Sequence, residues 1–363
     1  MKKENRLEKE QKGSKTRLQK MLDGEKVDRV PFFPLHISGF SSRNTGYPLG
    51  TMYSDPDKSF WAQVWTQEQY GFEYMPMYNY ASYGAWEFGG EIKFPSSEFE
   101  QAPSIIRYPV ESEKDIERIE SDGLPEVRAR GSIPLNVEFS KLQEKYELPI
   151  VFLCGTPFTR AGNLCGVEKL LRWTMKAPEL AHRLIQLVTD HLVEVAQYWV
   201  DIFGAENLIA YSGNPTEANQ LISPKKLEEF ALPYTKELNE KVLAKGVKRF
   251  KFHVCGEQNL NLPLLAKVPL GLNGIVSFGH EVDIEKAIEY FGESNIVVGN
   301  INPMVIHTGT AQEIYELARA CIEKGKKAPK GFMLSQGCQL SPLTPPYNVY
   351  MMKKAIDDFG QYD

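Results

Sequence analysis

The sequence predicts an α/β chain folded as a (β/α)8 TIM barrel with an N-terminal helical extension. Three features carry that prediction: eight short apolar runs, longer amphipathic stretches between them, and a glycine or turn residue closing most runs. Short strands that alternate with helices form parallel sheets, because each crossover helix returns the chain to the end where the last strand began. An open doubly wound sheet is the competing arrangement. It would carry a Gly-rich phosphate fingerprint between strand and helix, and no GxGxxG stands at such a junction.

The elements follow in chain order. Residues 1–20, "MKKENRLEKEQKGSKTRLQK", hold 11 charged side chains and no apolar h-region of a secretory signal. They read as a charged, solvated helical extension, with residues 21–363 forming a single barrel domain. The first four runs are "RVPFFPLH" (29–36), "FEYMPMY" (72–78), "LPIVFLCG" (148–155) and "NLIAYSG" (207–213). The last four are "RFKFHVCG" (249–256), "NGIVSFG" (273–279), "NIVVGNI" (295–301) and "GFMLSQGC" (331–338). Residues 166–203 have helical spacing, and Pro178 is expected to split them into two helices. A helix is expected after Ser223 as N-cap, with Pro224 at its first position and Gly246 at its end. "DIEKAIEYFG" and "TAQEIYELARACIEKG" each close on a glycine, expected as a C′ residue.

Bulk composition narrows the function classes. With 42% hydrophobic and 25% charged residues, the chain has globular composition, and a net charge of −5 offers no basic footprint for nucleic acid. No uncharged stretch of membrane-spanning length occurs. Five cysteines without regular spacing do not suggest a disulfide framework. A reducing, cytoplasmic setting with free thiols is the expectation.

The chemistry concentrates where runs end. His253 and Cys255 are two apart, so on a strand they project to one face. They lie at the C-terminal end of the fifth run, where barrel enzymes carry their catalytic groups. Cys338 closes the eighth run, with 82 residues between it and Cys255. Two thiolates and one imidazole suit zinc. Three protein ligands leave one position open, as in catalytic rather than structural zinc sites. On spacing alone a plainer reading stays open, since free cysteines are often small buried hydrophobes. Cys154, Cys165 and Cys321 are read that way.

Other polar residues follow the runs. Arg160, after the third, could anchor a carboxylate or sulfonate by a charge-assisted hydrogen bond. Glu217, after the fourth, is the candidate general acid or base, or a transient fourth zinc ligand. His36 ends the first run and is a candidate to hydrogen-bond substrate, as is His280 after the sixth. Asn300 ends the seventh and could orient a ligand, or support a residue that itself holds one. The aromatic stretch 72–88 includes Tyr80 and Trp86, candidates to line a pocket for a flat substrate such as an aryl methyl ether. A packed lid or subunit contact, including a homo-oligomer, is the duller use of that stretch.

Several segments together carry a resemblance: "DGEKVDRVPFFP", "CGTPFTRAGNL", "LISPKKLEEFALPY", "VVGNINP" and "GCQLSPLTPPYN". Across roughly residues 15–360 the chain resembles the uroporphyrinogen decarboxylase superfamily. Within it, "GFSSRNTGYPLGTMYSDPDK" (39–58) looks like the zinc-dependent, corrinoid-linked methyltransferases, which include the methylcobamide:coenzyme M methyltransferases. Their pattern is H-x-C, a long gap, then a Cys after Gly; it falls here on His253, Cys255 and Cys338. The resemblance implies a (β/α)8 barrel, Zn²⁺, and methyl transfer between a methylcobamide and a thiol or O-methyl compound. This chain has no cobalamin-binding Asp-x-His-x-x-Gly motif, so the methylcobamide is expected on a separate corrinoid protein. Departures from the decarboxylase pattern are plain. Decarboxylases use two arginines after the first strand, where "LHISGFSSRNTGYPLG" offers Arg43 alone. They use an aspartate after the second, and residues 77–89 contain none. Their late histidine is replaced by Cys338. A tetrapyrrole decarboxylase and a non-catalytic zinc-binding barrel are the alternative functions.

Overall fold

The computed structural model describes residues 16–73, 75–78, 82–97, 99–100 and 102–362. An antiparallel hairpin of β1 (Glu91–Lys93) and β2 (Ser104–Arg107) lies outside the main sheet. That sheet is parallel and takes its strands in chain order: β3 (Ile150–Leu153), β4 (Leu208–Gly213), β5 (Arg249–Val254), β6 (Gly274–Phe278), β7 (Asn295–Ile301) and β8 (Phe332–Gln336). These are the third to eighth apolar runs, and the helices between them make the chain a (β/α)8 barrel.

Among the described residues, the first two runs fill the remaining staves without becoming laddered strands. Phe32 bridges Leu334 of β8 in parallel; Phe33 N–H donates to Leu334 O at 2.9 Å, and Leu334 N–H to Pro31 O at 3.0 Å. Glu73 N–H donates to Phe32 O at 2.8 Å, so the second run lies on the other side of the first. Prolines 31, 34 and 76 have no N–H, and a ladder through them cannot form. Side chains take its place. Ser335 Oγ accepts from Leu35 N–H at 3.1 Å, and Gln63 forms a closed pair of bonds with the Met77 backbone, each 2.9 Å. Gln143 Nε2 donates to Pro76 O at 2.8 Å.

Strand alternation divides the core in two. One set, including Phe33, Met75, Val151, Ile209, Ile275, Val298 and Met333, packs inside the barrel. The other, including Phe152, Ala210, Phe252, Val276 and Leu334, packs outward under the helices. The helix Arg17–Leu22 closes the barrel floor. Thr16 and Gln19 cap it, and Leu18, Met21 and Leu22 are buried among the inner set. It runs across residue 20, the expected end of the charged extension, because its apolar face plugs the bore.

All three inward positions of β5 are basic. Arg249 donates to Leu22 O at 2.6 Å and so caps the floor helix. Lys251 lies above it, its Nζ 2.9 Å from Met77 Sδ and 4.6 Å from the centre of the Phe33 ring. Burial lowers its pKa to about 7. His253 stands at the top.

The helices mostly follow expectation. Val167–Lys176 and Pro178–Phe203 divide at Pro178. Ser223 caps the next helix through Lys226 N–H, but that helix stops at Phe230 and restarts as Leu232–Ala244. Pro233 lacks the N–H that a continuous helix would need. Gly325 is the last residue of its helix rather than a left-handed cap. A Cβ there would stand 2.3 Å from the Phe332 ring, so close packing of helix on strand demands glycine. Among the described residues no helix is long and apolar enough to cross a membrane.

Candidate metal centre

His253 belongs to the inward face of β5, and Cys255 follows just past the strand end. Cys338 lies two residues beyond β8, after Gly337. The barrel brings them together: one imidazole nitrogen and both sulfurs lie within 4.8 Å of one another. His253 is buried and both thiols are half-buried. Tetrahedral zinc would want its ligand atoms about 3.3–3.8 Å apart, a spacing within that bound.

The imidazole is already set for a cation. Its Nδ1 lies 2.9 Å from Ser277 Oγ, on the neighbouring residue in register. Its Nε2 is buried and without a hydrogen-bond partner. With Nδ1–H donated to Ser277, the Nε2 lone pair aims at the two sulfurs. An orphaned imidazole nitrogen beside two thiols is a donor set that fits Zn²⁺. The thiols also polarise each other. Cys338 is held below the ordinary thiol range by the hydrogen bond from Cys255; Cys255 is raised by that same bond and by burial.

A polar scaffold fixes this geometry. Asn214 Oδ1 accepts from Cys255 N–H at 3.0 Å, while Asn214 N–H donates to His253 O at 3.2 Å. Gln258 Nε2 donates to the Asn214 and Cys255 carbonyls, and Asn261 holds Gln258 at 2.6 Å. The loops after β5, β6 and β8 touch backbone to backbone. A Cβ at Gly279 would stand 2.7 Å from Gly256 O, and one at Gly337 2.6 Å from His280 N.

A cavity of about 230 Å³ opens in front of the thiols. His36, Tyr53, Leu153, Thr156, Thr159, Arg160, Tyr211 and Gln339 line the rest of it. Arg160, on the helix Pro157–Cys165, is buried in the wall, where Gly84 and Gly155 leave room for its guanidinium. Burial alone would raise Glu87 behind it. The hydrogen bond with His191 and the charge of Arg160 instead hold that carboxyl below its usual range. His36 adopts φ +30°, and its Nε2 lies 2.6 Å from the Tyr211 hydroxyl.

The other expected site residues stand elsewhere. Glu217 is buried outside the cavity lining, behind Thr156 and Thr159, and does not join the His–Cys–Cys cluster. Burial pushes it to about 7, against hydrogen bonds from Thr156, Asn214 and Thr159. Asn300 does not reach the cavity either. Its amide donates to Gly279 O at 2.9 Å and Val282 O at 2.6 Å and so ties down the loop after β6. Trp86 packs edge-on against Phe94 at 6.0 Å, outside the cavity, in a satellite cluster beneath the hairpin. His280 pairs with Glu281 at 3.2 Å. Tyr80 lies outside the described residues. Tyr211 and Ser277 escaped the sequence reading. Period-two spacing from Ile209 and Ile275 was the signal that could have found them.

Comparison with known proteins agrees with this architecture. The family model "Uroporphyrinogen decarboxylase (URO-D)" matches residues 13–359. A methylcobamide:CoM methyltransferase, MtbA, of Methanosarcina acetivorans is 29% identical over 276 residues, which is 75% of this chain and 76% of that one. MtaA of Methanosarcina barkeri, also a methylcobamide:CoM methyltransferase, is 25% identical over 352 residues, 95% of this chain and 98% of its own. A solved methyltransferase from Methanosarcina mazei superposes with TM-score 0.79 at 24% identity, covering 95% of this chain and 98% of that one, and so shares the fold.

Proposed function

The chain belongs to the uroporphyrinogen decarboxylase family, and on that premise we propose that it is a zinc-dependent methyltransferase. It moves a methyl group between a methylcobamide on a separate corrinoid protein and a small substrate in the cavity. One observation carries this reading: the unpartnered His253 Nε2 faces two thiols at the edge of a small cavity. Zn²⁺ held by His253, Cys255 and Cys338 would supply a Lewis acid with one open coordination position.

The chain's own residues do the rest. Ser277 keeps the imidazole in the tautomer that presents Nε2. Asn214, Gln258 and Asn261 hold the Cys255 loop so that no reorganisation is needed when substrate arrives. Arg160 offers a buried cation to any carboxylate or sulfonate on the substrate. Tyr53, Leu153 and Tyr211 exclude water from the reacting end. The methylcobamide would be presented at the cavity mouth by its carrier, so that the cavity itself need hold only the small substrate. The single Arg43 after the first run weighs against a tetrapyrrole decarboxylase.

The test is anaerobic. Zinc-loaded protein is mixed with cob(I)alamin and methanol or anisole, or with methylcobalamin and coenzyme M, and the cobalt–carbon bond is followed by its visible spectrum. Transfer with at least one compound and about one zinc per chain is expected. Full zinc occupancy without transfer to or from any of them would refute the enzyme and favour a non-catalytic zinc barrel.

A further inference from the structure

The inward positions of β4 are Ile209, Tyr211 and Gly213. Tyr211 is long enough to reach past the strand end, and Gly213 lets it. A Cβ at Gly213 would stand 3.3 Å from the Tyr211 hydroxyl. The hydroxyl therefore rises to the level of His253, whose Cβ is 3.7 Å from the same Gly213 position. His36 meets it from the opposite wall. A left-handed backbone, φ +30°, is rare for a non-glycine residue and is held only where the surroundings enforce it. Here it aims the imidazole at the hydroxyl, 2.6 Å away, with the His36 and His253 rings 6.0 Å apart. Both residues line the cavity beside Cys255 and Cys338.

We propose that Tyr211, oriented by His36, is the hydrogen-bond donor to an oxygen that loses its methyl group in this cavity, so that the substrates are O-methyl compounds. The proposal rests on the methyl-transfer reading above. With His36 Nε2–H donating to it, the hydroxyl would keep its own hydrogen for a group in the cavity. A fixed donor in a dry site stabilises charge that develops on oxygen. The same donor would blunt a thiolate nucleophile by drawing on its lone pair, so it serves a leaving oxygen and not an attacking sulfur. In the step, the methyl carbon bonds to the cobalt of a cob(I)amide as its C–O bond breaks. The electron pair stays on oxygen, beneath the Tyr211 O–H, and a solvent proton completes the alcohol or phenol.

Tyr211→Phe keeps the ring that packs above Lys251 and removes the hydroxyl alone. With zinc content unchanged, its kcat for anisole should fall about 100-fold, in the range for losing one oxyanion donor. With 3,4,5-trifluoroanisole, close in size but with a better leaving phenoxide, the loss should shrink below about tenfold, since that oxygen needs less help. Phenol should bind the variant more weakly by calorimetry. His36→Gln should show the same leaving-group trend with a smaller loss. Equal losses on both ethers would assign Tyr211 a packing role and overturn the proposal. A parent enzyme that methylates coenzyme M but demethylates neither anisole nor methanol would overturn it while leaving the methyl-transfer reading intact. Inactivity with every compound would overturn both.

Discussion

Two walls line the cavity, and they are built by different means. The wall with His253 and Cys338 stands on continuous ladders: β5 pairs along its length with β4 and β6, and β8 pairs with β7 at five positions. The wall with His36 stands on a segment with a single bridge to β8 and prolines on both sides of it. A metal cage needs its ligand atoms placed to within about 0.5 Å, and strand ladders supply that rigidity. Release from the ladder frees the other wall to hold His36 in a backbone conformation that no strand allows. The candidate ligands are thus placed by the sheet, and the group that meets Tyr211 is placed by its exceptions.

Breaking the ladder wall should cost most. Cys338→Ala removes one of three ligands from a position beyond the last ladder pair, Ile301 with Gln336. The fold should survive by circular dichroism while bound zinc falls from about one per chain to near none, and methyl transfer with it. Retention of stoichiometric zinc would show that Cys338 is not a ligand. Removing the hydroxyl that meets the His36 wall, as in Tyr211→Phe, comes next and should spare the metal.

Ser277→Ala sharpens the contrast, because it leaves all three ligands in place. Without an acceptor for Nδ1–H the imidazole loses its preferred tautomer and orientation. Zinc affinity, measured by chelator competition, should drop about 10–100-fold, the usual consequence of losing such a support. An unchanged affinity would mean that packing alone orients the ring.

The smallest effect belongs to Glu217, behind the cavity. Its folded carboxyl titrates near 7, against an ordinary value of 4.5. The folded chain therefore binds a proton that the unfolded chain has already released between those values, and stability falls as pH rises through that window. The destabilisation is absent below pH 4.5 and full above about 7, reaching at most about 3 kcal/mol at roughly 1.4 kcal/mol per tenfold in proton affinity. Glu217→Gln should therefore melt higher than the parent at pH 8 and nearly level with it at pH 5. A gap that stays constant with pH would sink this account. A loss of turnover beyond about tenfold would instead return Glu217 to the chemistry first expected of it.

Some of this was legible in advance. The third to eighth runs became strands because period-two burial is written locally, and Pro178 divides its helices as a residue without an N–H must. The H-x-C pair was legible for the same reason, since residues two apart on a strand share a face. The first two runs misled, because apolar content resembles a strand whether or not prolines leave donors for a ladder. Asn300 stands outside the cavity, and strand-end position says nothing of which carbonyls lie within reach of its amide. Trp86 misled because aromatic density marks a packed satellite cluster as readily as a pocket.

By itself the sequence determined the alternation of strand and helix, the inward face of β5, and the set of residues able to bind a soft divalent ion, all properties of near neighbours along the chain. The tertiary structure alone decided that Cys338 closes on His253, that Ser277 turns the imidazole, and that Tyr211 meets His36 across the bore. Those contacts join residues 24 to 175 positions apart. Which of them form depends on how eight staves close and where glycines allow backbones to touch, and no local pattern encodes that.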